Sequence, residues 1–185
     1  MRRIKHSHTP IVRNLALRVV LIIGLTVSLV GCSPTFNWRT LRLDSVGAQA
    51  LMPCKPSYSS REVPLLDSQS NVLLHMQACD VGETTFAVSW LNVPAEQNIQ
   101  TAMSRWLSAT LASAGIKGKV HPMDWSVAGT DLAKRYAGHG ERHDGNTLAV
   151  AIAIAQRGSS LVQLGVYGAK PEARETEEFL QGLRW

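Results

Sequence analysis

The chain has 185 residues, and its 19 Lys and Arg against 14 Asp and Glu give a formal net charge of +5. Five basic residues and no acidic residue precede position 32, so residues 32–185 balance 14 basic against 14 acidic side chains. Because binding to a nucleic-acid backbone needs surplus basic charge, this neutral portion excludes a nucleic-acid partner. Its length suits one domain with one hydrophobic core.

The N-terminal segment, residues 1–31, has the layout of a secretory signal peptide. Its five basic residues are followed by an apolar run over residues 19–30. A membrane-spanning helix needs about 20 apolar residues, and this run is nearer a dozen. The sequence therefore predicts a signal peptide over residues 1–31, with an uncleaved membrane anchor as the alternative.

Four residues close this segment: Leu29, Val30, Gly31 and Cys32. They resemble the lipobox of bacterial lipoproteins. The resemblance implies cleavage before Cys32, lipid attachment to its sulfur, and acylation, palmitate included, of the new N-terminus. Two or three acyl chains hold a protein stably on a membrane, whereas one chain is marginal. Ser33, rather than aspartate, resembles the outer-membrane sorting pattern, which implies a lipid-anchored protein of the cell envelope that faces the periplasm, on the outer membrane rather than the inner one. The alternative is an ordinary signal peptide with a chance cysteine.

With Cys32 lipidated, the remaining cysteines are Cys54 and Cys79. An even pair in an exported domain predicts a disulfide bond. Two buried free thiols are the alternative. A redox-active pair is disfavoured because the chain has no Cys-x-x-Cys motif.

The predicted domain boundaries place a lipidated N-terminus and tether at residues 32–45 and a single α+β domain at residues 46–185. The prolines on either side of Cys54 predict a stiff, extended turn over residues 53–56. Residues 61–66 form a candidate strand that ends at a polar turn.

The next two segments, residues 72–80 and 84–92, alternate apolar and polar side chains. Alternation with a short glycine-containing connection predicts an antiparallel hairpin. Cys79 then lies at the end of the first strand, where it could reach Cys54.

A long helix follows, with an apolar stripe between residues 99 and 114 at steps of three and four. Pro94 in the first turn and Glu96 near the positive end of the helix dipole predict its beginning. Gly115 predicts its end in a left-handed conformation. The Met and Trp side chains of this stripe indicate core packing.

The second half alternates strands and turns before a final helix. Residues 116–127 are predicted to be extended, residues 131–139 to form a strand, and residues 147–155 to form a central strand buried on both faces. Residues 161–167 return as the hairpin partner, and Pro171 begins the last helix. The predicted fold class is α+β, an antiparallel β-sheet with one long central helix and a C-terminal helix packed on it.

Several short motifs together resemble a group of uncharacterised exported proteins of proteobacteria. They are residues 37–39, 52–56 and 179–184, with Cys79 and Phe86-Ala87. The order of elements also resembles PsbP-like α/β sandwiches at the level of topology. Neither resemblance implies an activity, a substrate or a catalytic residue.

The chemistry-bearing candidates are few, and no catalytic residue and no cofactor are predicted. His139 and His143 are weak candidates for metal ligands, because two histidines four apart bind zinc when they share a helix face. Gly138, Gly140 and Gly145 argue against a helix, and strand residues four apart are about 13 Å from each other. A solvated loop or hairpin tip is the favoured interpretation.

Three other polar groups suggest no site. They are the mixed-charge residues 131–135, the serine pair 159–160, which lacks a nucleophile elbow, and Glu177-Glu178, which we expect to be solvated.

Two functional hypotheses follow. The first is a membrane-anchored periplasmic lipoprotein that serves as a non-catalytic binding module, with the membrane and an envelope protein as partners. The second is a small-ligand or metal-binding periplasmic domain, with hydrolytic chemistry at residues 139–144.

Overall fold

The computed structural model describes residues 35–64, 71–117, 120–141 and 144–185, which lie in one compact unit, Thr35–Trp185. The predicted signal peptide and Cys32 lie outside the described residues. The strands are β1 (Arg39–Leu43), β2 (Ala48–Met52), β3 (Ser57–Val63), β4 (Val72–Val81), β5 (Thr84–Asn92), β6 (Leu132–Glu141), β7 (Thr147–Arg157) and β8 (Ser160–Gly168). The α-helices are α1 (Ile99–Ser113) and α2 (Ala173–Leu180), and a short 3-10 helix, Asp44–Val46, joins β1 to β2.

Six strands form one antiparallel sheet in the order β3-β4-β5-β8-β7-β6. The predicted hairpin is confirmed as β4 and β5, which turn at Gly82 with a φ of 58°. Glycine suits this left-handed position because it has no Cβ. The predicted buried strand is confirmed as β7, where Ile152, Ala153 and Ile154 are fully buried. Adjacent residues of a strand point to opposite faces, so both faces of the sheet are covered here.

One face is covered by the two-stranded sheet of β1 and β2 together with α2. Leu43 and Met52 are fully buried there. The ring of Phe179 meets that of Phe86 edge-on at 5.3 Å between centroids, which docks α2 on the large sheet. Gln49 and Arg184 exchange backbone hydrogen bonds of 2.8 and 2.9 Å, so the C-terminus is fastened to β2.

Helix α1 covers the opposite face, and the fold is therefore α+β as predicted. Met103 and Trp106 of its apolar stripe are buried against the sheet, where Ile154 and Leu161 are fully buried. The hydroxyl of Thr110 lies 2.9 Å from the Oε1 atom of the buried Gln163.

The predicted end of α1 is confirmed, but its predicted beginning is wrong. Gly115 has a φ of 68° and follows the helix. The helix begins at Ile99, and Pro94 and Glu96 lie ahead of it. The reason is that the Asn98 side chain accepts a hydrogen bond from the Thr101 N–H, which caps the first turn five residues after the proline.

Strand β3 begins earlier than predicted, because Ser57 pairs with Ala78 directly after the stiff Pro56 turn. Strand β1 lies inside the stretch predicted to be a tether, and Leu43 at its end is fully buried. Residues 39–43 are therefore part of the folded unit.

The glycines that argued for a loop after residue 138 lie instead within β6. A Cβ on Gly140 would overlap the carbonyl oxygen of Ala114 at the end of α1. Glycine within a strand often marks such a close backbone approach. Within the four described ranges, no helix is both long and apolar enough to cross a membrane.

Candidate functional site: a polar cleft at one sheet edge

The predicted disulfide bond is present between Cys54 and Cys79, with 6.0 Å between their Cα atoms. Cys54 follows β2, and Cys79 lies in β4. The bond therefore fastens the exit of the small sheet to the large sheet. The alternative of two free thiols is wrong.

The predicted metal candidates are not brought together in the described part of the chain. His139 is exposed in β6, and His143 lies outside the described residues. No group of three or more His, Cys, Asp or Glu side chains that could hold a metal is found in the ranges that the structure describes. Residues 139–141 are the end of β6 rather than a loop, and they lie at the end of the β6–β7 hairpin, where Glu141 pairs with Thr147. This agrees with the hairpin-tip alternative, and a metal site that includes His143 stays a prediction.

A polar cleft of about 390 Å³ lies at the β6 edge of the sheet. An irregular segment before β6, the strand itself, helix α2 and the C-terminus supply its lining. The lining residues are Asp124, Trp125, Ser126, Arg135, Glu177, Gln181 and Arg184. A second cleft of about 380 Å³ shares residues 124–126 with the first, so this segment lies between the two.

Arg135 is held in place by its backbone and by its side chain. Its backbone exchanges hydrogen bonds of 2.8 and 3.4 Å with Met123, outside the edge of the sheet. Its Nη1 donates to Glu177 Oε2 at 2.8 Å, and Gln181 Nε2 donates to Glu177 Oε1 at 2.7 Å. Both carboxylate oxygens of Glu177 are thus engaged, which orients the guanidinium.

Two buried hydrogen-bond donors belong to residues of this cleft and have no partner among the described residues. They are Nε of Arg135 and Nε1 of Trp125. A buried donor without a partner costs about 1–3 kcal/mol, so such groups are few in folded proteins. Both atoms can only donate, so the cleft is suited to a ligand with acceptor groups.

No protein-family model matches the chain. No curated protein matches it either. Among solved structures, the chain is similar to the crystal structure of a protein of unknown function from Pseudomonas aeruginosa, named there as a candidate regulator. The two are 14% identical with a TM-score of 0.40, and the match covers 77% of this chain and 90% of the other. We draw no conclusion about fold or function from a likeness of this extent.

The opposite edge of the sheet carries an exposed apolar surface, which we call the β3–β4 surface. Tyr58 and Leu73 are 57% and 49% exposed, and they lie on one face of the sheet because Tyr58 pairs with Gln77, and Leu73 and Gln77 are an even number of residues apart in β4. Met76 is 39% exposed but points to the opposite face, so it is not part of this surface. Tyr58 is hydrogen-bonded to Nδ1 of His75 at 2.7 Å, and the His75 ring stacks on Trp90 at 5.3 Å. His75 is therefore a hydrogen-bonded, stacked side chain of this surface.

Sequence reasoning missed the cleft. Arg135 was placed in a plain mixed-charge stretch, and Trp125 was given no role. The Glu177 side chain is 45% exposed, so it keeps contact with solvent, but it also accepts hydrogen bonds from Arg135 and Gln181, which the sequence did not indicate. One signal was present: Arg135 occupies the same strand face as Ala133, which packs on the core. A charged residue at an inward-facing strand position needs a partner.

Proposed function

We propose that this chain is an exported lipoprotein, anchored through Cys32 to the envelope membrane and facing the periplasm, and that it acts there as a non-catalytic binding module for an envelope protein. The observation that carries the proposal is the Cys54–Cys79 disulfide bond. Disulfide bonds persist in oxidising compartments and are rare in the cytosol. This agrees with the signal-peptide layout and the lipobox resemblance of residues 1–32. The sorting pattern at Ser33 favours the outer membrane over the inner one.

The surface that we propose for the partner is the β3–β4 surface. Its exposed apolar side chains, Tyr58 and Leu73, would be covered by a bound protein. Among the described strands, β3 pairs with β4 alone, so its other edge offers backbone N–H and C=O groups. Edge strands and exposed apolar side chains are features that proteins use to bind one another.

The anchor is tested by the intact mass of the protein taken from its native membrane, with and without reductant. We expect a mass of residues 32–185 plus acyl groups, which rises by two hydrogens on reduction. The Cys32→Ala variant should keep the disulfide and lose both the acyl mass and the membrane association. A full-length or unacylated native protein would refute the lipoprotein proposal.

The partner is tested with a photo-crosslinking residue in place of Tyr58 or Leu73, in cells that export the protein. Ser108, which is exposed on α1 across the sheet, is the matched control position. We expect one envelope protein to crosslink from positions 58 and 73 but not from 108, and the product to disappear in the Cys32→Ala background. Identical products from all three positions, or none from the first two, would count against this surface.

Small-ligand binding is a second candidate function, and the cleft at Arg135 favours it. Two unpartnered buried donors in residues of one cleft are the specific observation. This function is compatible with the anchor but does not depend on it.

A further inference from the structure

We propose that the cleft at Arg135 binds a small organic carboxylate, held by the Nε–Nη2 edge of Arg135 and by the indole N–H of Trp125. This inference rests on the second candidate function, small-ligand binding, and is independent of the lipid anchor. It assigns a ligand class to residues that line one cleft.

The orientation of the guanidinium carries the first step. Arg135 uses Nη1 for Glu177, at 2.8 Å. In a guanidinium, the N–H bonds of Nε and Nη2 lie side by side on another edge, and this edge matches the two oxygens of a carboxylate. The Nε atom of Arg135 is buried and has no partner in the described part of the chain. One donor of the fork that best fits a carboxylate therefore has no partner among the described residues.

Trp125 carries the second step. Its indole Nε1 is buried and likewise has no partner among the described residues. An indole N–H can only donate a hydrogen bond, so its complement is an acceptor. Trp125 and Arg135 both line the cleft, so one acceptor-bearing group could engage both donors.

The lining charges narrow the ligand class. The lining contains two guanidinium groups, Arg135 and Arg184, and two carboxylates, Asp124 and Glu177, so its formal charges balance. A polyanion such as a nucleotide is disfavoured, because it would lie beside two acidic side chains with no excess of basic side chains to balance its charge. A ligand with one or two carboxylates, and a body that fits about 390 Å³, suits this balance.

The test follows the two donor protons directly. In the ¹⁵N-labelled full-length chain in detergent micelles, the Nε–H resonance of Arg135 and the Nε1–H resonance of Trp125 are assigned with R135K and W125F. Sodium benzoate is titrated in, with benzamide as the uncharged probe of similar shape and sodium phosphate as the inorganic anion. We expect benzoate to shift both resonances together along one saturable curve. Benzamide and phosphate should bind at least about tenfold more weakly.

Two variants distinguish a loss of the binding site from a loss of the fold. R135K keeps a positive charge beside Glu177 but removes the fork, and W125F keeps the ring but removes the N–H. Each should weaken benzoate binding at least about tenfold, whereas R61K on the distant strand β3 should leave it unchanged. Dispersed, otherwise unchanged spectra show that a variant is folded. If R135K does not fold, the benzoate affinity of W125F alone tests the proposal.

Several outcomes would overturn the assignment. One is the absence of any shift of either resonance with benzoate, acetate and succinate up to about 100 mM, far above a millimolar dissociation constant. Another is binding that R61K weakens as much as R135K does. A third is phosphate binding as tightly as benzoate, which would show a general anion site. None of these outcomes bears on Cys32, because the lipoprotein proposal is tested by mass and fractionation.

Discussion

Removing the Cys54–Cys79 bond should lower the stability of the domain by about 3.5 kcal/mol. The two cysteines are 25 residues apart, and closing a loop of this length in the unfolded chain removes about 12 cal/mol/K of entropy, or about 3.5 kcal/mol at 25 °C. For a domain of this size, 1 kcal/mol corresponds to about 2–4 °C in Tm, so the expected loss is about 7–14 °C. A domain with the usual stability of about 5–15 kcal/mol would still fold without the bond.

The perturbation is the double variant C54A/C79A, because a single substitution leaves a free thiol. The free energy of unfolding is measured by guanidinium titration, followed by tryptophan fluorescence, for the full-length chain in detergent. The wild-type chain in reductant should unfold at nearly the same midpoint as the double variant. The C32A variant, which keeps the bond, is the control and should unfold like the oxidised wild type.

Two results would refute the loop-entropy reasoning. An unchanged midpoint in C54A/C79A, with the bond proven by mass in the wild type, would mean that the bond does not constrain the unfolded chain. A loss far above about 3.5 kcal/mol in the double variant, but not in the reduced wild type, would instead assign the effect to packing around the cysteines.

Three further predictions concern the sheet and its helix. G140A should lower the free energy of unfolding by at least about 2 kcal/mol, because its Cβ would overlap the carbonyl oxygen of Ala114. G138A is the control and should cost less, because its Cβ would meet ordinary contacts at 3.5 Å. Equal midpoints of the two variants in denaturant would contradict this prediction. N98A should cost about 1 kcal/mol in the same assay, because it removes the side-chain cap of α1, and an unchanged midpoint would dismiss the cap. Burial raises the pKa of Tyr167 from 10.0 to about 12. The unfolded chain loses this proton first, so the free energy of unfolding should fall as the pH rises from about 10 to about 12. Phenolate absorbance should show one late-titrating tyrosine that is missing in Y167F, and its persistence in that variant would contradict the assignment.

Local pattern determined much of the fold. Alternation with a period of two placed β4 and β5, because one residue in two faces the core. A continuous apolar run placed β7 as a strand buried on both faces, and β8 followed as its hairpin partner. The apolar stripe and Gly115 placed the body and the end of α1. The even pair of cysteines, in a chain predicted to be exported, predicted the disulfide bond that the structure contains. For the strands and the helix, the signal lies within a few residues of the feature.

Errors arose where a local signal had a non-local competitor. Proline is common in the first turn of a helix, so Pro94 predicted a start there, but the Asn98 side chain caps the helix four residues further along the chain. Gly138 and Gly140 suggested a loop, yet both are strand residues, and at Gly140 the absence of a Cβ lets the end of α1 approach closely. The residues next to a glycine in the sequence do not indicate which element packs against it.

The cleft depended on tertiary structure alone. Three residues of the cleft come from a strand, a helix and an irregular segment: Arg135, Glu177 and Trp125. They line one cleft because α2 packs on the sheet close enough to the edge strand β6 for Glu177 to bond Arg135. The sequence by itself determined the fold class and the cysteine pair, since both follow from composition and the spacing of apolar residues and cysteines. Which polar groups meet, and which donors remain without partners, was decided by packing between elements about 40 residues apart.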